Sequence, residues 1–224
     1  MSRSARKRFK YSPFISAGVI SVEELSQLVE AMKAAGAKNV KLTGETVFVW
    51  DGVEEPPGFA AAARYQANQF KFGGVRPVKM CSAETFCENN KLPVLGLAMR
   101  IDQLFHNTNL EMKLLIGVAG CRRSCSEPAT KDIGIIAHPQ GYQILVGGTA
   151  GFTPMIGQTL TMAKTEEDVI DILGRIIEFC KIHGRRSARL GRIIQKIGLD
   201  SFRAHILEGA PLPMALHEIA WEED

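Results

Sequence analysis

Apolar residues fall at helical spacing in the first third of the chain, where Leu25, Leu28, Val29 and Met32 share one face of a 3.6-residue period. Ser21 and Glu24, three apart just ahead of that face, form a capping box, and Gly36 is placed to stop the helix. "NVKLT" and "TVFVW" follow as two strands turning around Gly44-Glu45, with a further turn at Asp51-Gly52. Pro56-Pro57-Gly58 then leads into "FAAAARYQANQF", a second helix. Strand, helix, hairpin and helix up to this point describe a small α+β unit.

"KFGGVRP" reads as a boundary. Beyond it the pattern predicts a cysteine-bearing loop, a helix near Leu95–Phe105, the strand "MKLLIGVA", and a second cysteine loop. "DIGIIAHPQGYQILVGG" reads as two strands joined at Pro139-Gln140-Gly141. Thr165 begins a capped amphipathic helix that runs to Gly184, and "LGRIIQKIGLDSFRAHIL" is a further helical stretch. The expected division is a basic tail over 1–10, a first domain over 11–74, a second over 75–210 and a tail over 211–224.

Composition narrows the class without naming an activity. The 224 residues are 46% apolar and 23% charged, as in an ordinary globular protein, and the net charge of +3 is spread along the chain. The densest basic run, "SRSARKRFK", reads as a solvated tail rather than a nucleic-acid or membrane contact. No apolar run reaches transmembrane length, and no apolar stretch follows the amino-terminal charges as a secretory signal requires. A cytoplasmic protein with reduced cysteines is expected, and clustered thiols then point to metal.

Four of the five cysteines are clustered: Cys81 with Cys87, and Cys121 with Cys125. Each pair sits on a loop supported by regular structure, as a metal site requires. Four thiolates suit an iron–sulfur cluster or zinc, although C-x5-C is wide for a zinc knuckle; unliganded cysteines are the third reading. Cys180 lies in line with Leu173, Ile176 and Ile177 on an apolar helix face and reads as core. Gly117 and Gly120 flank the second loop and would let backbone approach a bulky group and donate amides to sulfur. "GGTAGF" lacks the G-x-G-x-x-G spacing of a dinucleotide site.

C-x5-C, an interval with a helix and a strand, then G-C-x3-C with a following hairpin and "GG", resembles the siroheme-dependent sulfite and nitrite reductases. "GVISVEELSQLVEAMKAAGAKNVKLTGETVFVWDGV" is similar to their ferredoxin-like half-domain, and "ARLGRIIQKIGLDSF" to the segment closing their cluster domain. The resemblance implies an α+β chain: a ferredoxin-like half-domain followed by an α/β sulfite-reductase hemoprotein-type cluster domain. It implies a 4Fe–4S cluster on Cys81, Cys87, Cys121 and Cys125, with Cys125 bridging to siroheme iron. It also implies reduction of sulfite or nitrite by electrons from a separate donor protein, the alternative being an iron–sulfur carrier without that activity. Siroheme is rimmed by carboxylates, whose burial demands cations. Arg122 and Arg123 are the first candidates, then Arg76, Lys79, Lys41 and Lys71, which flank the cysteine loops or the matching strand.

The chain departs from the family pattern where relatives carry substrate arginines: Glu45 and Thr46 stand in "KLTGETVFV", and Ser12 and Phe14 near "YSPFISAGVIS". Three accounts stay open: a compact single-half reductase, a homodimer whose second copy supplies the missing half, or a cofactor protein acting on another substrate. The histidines show no ligand spacing; His106 and His138 are the two that could approach a cofactor.

Overall fold

The computed structural model describes residues 8–11, 14–34, 36–37, 41–42, 48–51, 73–186 and 188–213. They belong to two compact units, Met1–Gln69 and Phe70–Asp224. The first carries strands β1 (Arg8–Tyr11), β2 (Lys41–Leu42) and β3 (Phe48–Asp51) and helix α1 (Val22–Ala34). The three strands form an antiparallel sheet in the order β1-β3-β2, so the expected hairpin is present with Leu42 opposite Phe48. Ser21 and Glu24 satisfy each other's amides at 3.0 and 3.1 Å, and Gly36, at φ 80°, ends α1 while Ala37 N–H donates back to Met32.

One boundary is corrected. The basic run expected as a tail over 1–10 contributes Arg8, Phe9 and Lys10 to β1, paired with Asp51, Trp50 and Val49. Phe9 and Tyr11 alternate with Arg8 and Lys10, a strand period masked by the run's charge. The helix expected over "FAAAARYQANQF" lies outside the described residues, as do Lys71, Ser12, Glu45, Thr46 and the acidic carboxy terminus.

The second unit is built on a five-stranded sheet in the order β10-β9-β8-β7-β5. Its strands are β5 (Lys79–Met80), β7 (Ile116–Ala119), β8 (Ile133–His138), β9 (Gly141–Val146) and β10 (Gln158–Ala163). β5, β7 and β8 run parallel; β8, β9 and β10 are antiparallel. A separate parallel pair joins β4 (Gly74–Val75) to β6 (Lys113–Leu114). The single strand expected over "MKLLIGVA" is thus divided, because the Leu115 N–H turns aside to the Asp132 carboxylate at 2.8 Å. β10 was not foreseen; only Leu160 and Ala163 of it are buried, too little for an apolar signal.

β7 is buried throughout, as a strand covered on both faces must be. The helices are α2 (Ala83–Phe86), α3 (Leu95–Phe105), α4 (Glu166–His183), α5 (Leu190–Ile197) and α6 (Leu199–Glu208). Thr165 and Asp168 complete a capping box at the start of α4, and α4 ends at Gly184 as expected. Gly198, at φ 85°, breaks the last helical stretch into α5 and α6. Phe179 of α4 meets Phe202 of α6 edge-on at 5.0 Å. Cys180 is fully buried on the same helix, and burial pushes its thiol pKa up, as a core cysteine requires. Asp132, also fully buried, braces the unit: Arg189 donates to it from Nε at 3.0 Å and Nη2 at 2.6 Å. Burial raises the Asp132 pKa while that guanidinium opposes the rise. Among the described residues no helix is long and apolar enough to cross a membrane.

Candidate metal centre at the carboxyl ends of two parallel strands

Parallel pairing of β5 with β7 sets Lys79 opposite Gly117 and Met80 opposite Val118. Each strand then runs out at its carboxyl end into a cysteine, Cys81 after β5 and Cys121 after the intervening Gly120. Cys81 N–H continues the ladder to Val118 O at 3.2 Å. The Cys81 sulfur accepts the Gly120 N–H at 3.2 Å and the Ala83 N–H at 3.5 Å, so amides from both segments meet on one thiol. Lys91 N–H donates to Gly120 O at 2.7 Å, tying the segment after Cys87 to the same point. Cys87 itself ends α2. The sequence separation of the two pairs is thereby closed by strand register, at the strand end where open parallel sheets place ligands.

All four cysteines are free thiols; Cys81, Cys87 and Cys121 are half-buried and Cys125 is exposed. Among the described residues no three Cys, His, Asp or Glu side chains converge as ligands of one metal ion do. A cube takes one thiolate per iron, so its ligands stand further apart than those of a single zinc. The donor set and the amide–sulfur hydrogen bonds fit such a cluster.

Both glycines also make close contacts with the protein itself. A Cβ on Gly120 would meet Asn90, falling on its Oδ1 and 2.7 Å from its Cγ. A Cβ on Gly117 would lie 2.8 Å from Lys131 Cγ and 3.1 Å from Pro128 Cα. Gly117 is paired with Gly134, which lies against the Pro128 carbonyl, so the two glycines seat the β7–β8 crossover on the sheet rather than a cofactor. Ser126 holds the same crossover by donating to Val118 O at 2.6 Å. Of the expected roles, amide donation to sulfur is observed at Gly120.

Beside Cys121 lies a cleft of about 400 Å³ bordered by Arg122, Arg123, Lys91, His138 and Gln140. The cleft is cationic, and among the described residues its border carries no carboxylate. Both arginines are exposed, whereas His138 is half-buried and shares a 3.1 Å hydrogen bond with Gln143. Arg122 and Arg123, the first candidates for a carboxylate-rimmed cofactor, both border it, as does His138; Lys91 was not among the expected residues. Nothing in the local sequence marks Lys91, which arrives through the turn after α2.

Arg76 and Lys79 do not border this cleft. Arg76 is half-buried at the amino-terminal side of β5, where its amide donates to Leu114 O at 3.0 Å. Its charge acts on His106, whose pKa is lowered by burial first and by Arg76 in addition, with Asp102 opposing. His106 does not border the cleft either. Lys79 lies within β5, half-buried, and does not border the cleft. Lys41 lies in β2 of the first unit, where only the backbone is described. Phe14, in that unit, is half-buried.

A family model described as the nitrite and sulphite reductase 4Fe-4S domain matches residues 72–213. The chain is 24% identical over 214 residues to the NAD(P)H nitrite reductase of Bacillus subtilis, covering 89% of this chain and 25% of that one. It is 23% identical over 133 residues to the assimilatory-type sulfite reductase of Nitratidesulfovibrio vulgaris, covering 59% and 61%. Among solved structures, the Mycobacterium tuberculosis NirA protein superposes with a TM-score of 0.74 at 17% identity, over 92% of this chain and 41% of that one. Dissimilatory sulfite reductase I gives 0.73 at 13%, over 97% and 72%. These likenesses place the α+β fold with the sulfite and nitrite reductases. The chain spans less than two thirds of both relatives.

Proposed function

Since the chain belongs to the nitrite and sulphite reductase 4Fe-4S domain family, we propose that Cys81, Cys87, Cys121 and Cys125 hold a 4Fe–4S cluster in an oxidoreductase that reduces sulfite or nitrite. The observation that carries this reading is the Gly120 N–H on the Cys81 sulfur at 3.2 Å, which joins the two cysteine segments. Siroheme is the second cofactor of the proposal. Cys125, the one exposed thiol of the four, is the sulfur available to a second metal beyond the cube. When bound, the pair of cofactors relays electrons to an oxyanion whose oxygens leave as water.

The chain's own side chains have three tasks. The cysteines present thiolates from the ends of two rigid parallel strands. Arg122 and Arg123 hold the carboxylate rim of the tetrapyrrole, since a guanidinium stays charged and binds carboxylate with two donors. Lys91 and His138 add positive charge to the same cleft. The enzyme is proposed to act in the cytoplasm with a separate electron-donor protein. The first unit, Met1–Gln69, is proposed as the half-domain and the second, Phe70–Asp224, as the cofactor domain.

Anaerobic purification followed by visible spectroscopy and iron, sulfide and zinc analysis tests the cofactors. Soret and red tetrapyrrole bands with iron and labile sulfide are expected. A brown protein without tetrapyrrole bands indicates a cluster carrier, and a colourless zinc protein refutes the proposal. Turnover of sulfite and nitrite with reduced methyl viologen then tests the activity. Arg122→Ala with Arg123→Ala should lower siroheme retention more than cluster retention; equal retention removes both arginines from the tetrapyrrole site.

A further inference from the structure

Three of the five non-glycine residues with left-handed backbone among the described residues lie in the two cysteine segments: Ala83 at φ 52°, Ser124 at φ 54° and Glu127 at φ 54°. Such backbone is disfavoured for a residue with a Cβ, and it persists only where surroundings enforce it. Ala83 is fully buried, so its methyl is held by the core while its backbone stays left-handed. Ser82, just before it, is right-handed at φ −63°, ψ −9°. A right-handed residue followed by a left-handed one turns successive N–H groups to one side, making a concavity for anionic groups. Here the concavity opens on Cys81, whose sulfur takes the Ala83 N–H at 3.5 Å, with Gly120 N–H approaching from the neighbouring strand end at 3.2 Å.

We propose that the Ser82–Ala83 backbone and the Gly120 amide form a preset cradle for the Cys81 thiolate, and that this cradle raises the reduction potential of the cluster. The inference rests on the cluster reading above and adds Ala83 as a positioning residue. The cluster gains one electron on reduction, and its sulfurs carry more negative charge afterwards. Amide donors aimed at a ligand sulfur stabilise the reduced form more than the oxidised one. The left-handed turn at Ala83 holds one of those donors in place before any electron arrives.

The test uses the full chain, purified anaerobically with its cofactors and titrated with dithionite. Ala83→Gly keeps the amide and adopts positive φ without strain, so its potential should match the wild type. Ala83→Pro removes the donor and cannot take positive φ. Its reduction equilibrium should weaken about tenfold, equivalent to about 59 mV for one electron. Pulsed electron paramagnetic resonance of the reduced wild-type protein grown on 15N-alanine provides a second readout that needs no proline variant to fold. A 15N coupling is expected in the wild type and should vanish in Ala83→Gly. A coupling that persists in Ala83→Gly, its absence from the wild type, or an unchanged potential in Ala83→Pro would overturn the cradle while leaving the cluster in place. Protein without iron and sulfide would overturn the cluster reading itself.

Discussion

Gly120→Ala is the most direct probe of how the two cysteine segments are held together. The glycine's φ is not in the left-handed region, so an alanine meets no backbone penalty there. Its methyl would fall on Asn90 Oδ1, 2.7 Å from Asn90 Cγ and 3.3 Å from Val94 Cγ2. Asn90 cannot swing away freely, because its Nδ2 donates to Leu92 O and its amide hydrogen bonds to Cys87 O. Overpacking of this kind costs about 1–3 kcal/mol, and the lower unfolded-state entropy of alanine returns about 0.4–1 kcal/mol. The net loss is therefore at most about 2–3 kcal/mol, and each kcal/mol lowers Tm by roughly 2–4 °C at this chain size. Iron and sulfide per chain should fall with it, since the displaced residues lie between Cys87 and Cys121. Asn90→Ala removes the obstacle at the cost of one hydrogen bond, about 0.5–1.5 kcal/mol. Combining it with Gly120→Ala should restore both Tm and cluster content toward the Asn90→Ala single variant. The assay is thermal unfolding of the four proteins of the cycle with metal analysis. A Gly120→Ala protein as stable and as well loaded as the wild type, or two effects that simply add, would refute the reasoning.

Three further outcomes follow from the same structure. Arg189→Leu strands the fully buried Asp132 carboxylate and should cost about 3–5 kcal/mol in urea unfolding; replacing both partners by leucine should cost less than Arg189→Leu alone. His106 and His183 both have pKa values lowered below 6.5, chiefly by burial; the unfolded chain therefore takes up protons first, so stability falls as pH drops through about 6.5. Urea midpoints at pH 7.5 and 5.5 should show the loss, and His106→Gln should lessen it. Cys180, fully buried with its thiol pKa pushed up, should resist iodoacetamide in the native metal-free protein, while exposed Cys125 is modified; mass spectrometry of the labelled peptides checks both.

The features legible in the sequence are those decided by neighbours a few residues apart. Both capping boxes, the stop at Gly184, the helix over Leu95–Phe105 and the hairpin turning at Pro139-Gln140 depend on short-range hydrogen bonds and on periods of 3.6 and 2, and the structure shows each of them. The core position of Cys180 was readable for the same reason. What the short range could not hold is pairing at long separation. The Cys81 and Cys121 segments meet because β5 and β7 run parallel in one register, and a shift of a single residue would turn every side chain of β5 to the other face. The cleft depends on three loops meeting, so Lys91 joined it unannounced, while Arg76, attractive for standing near Cys81, lies in the segment between β4 and β5 and does not border it. Gly117 answers to Pro128 and Gly120 to Asn90, partners chosen by packing rather than by order along the chain. The sequence by itself determined the capped helices and the hairpins and supplied four thiols in two pairs; tertiary structure decided which strand ends lie side by side, because long-range register is fixed only when the whole sheet buries its apolar faces at once.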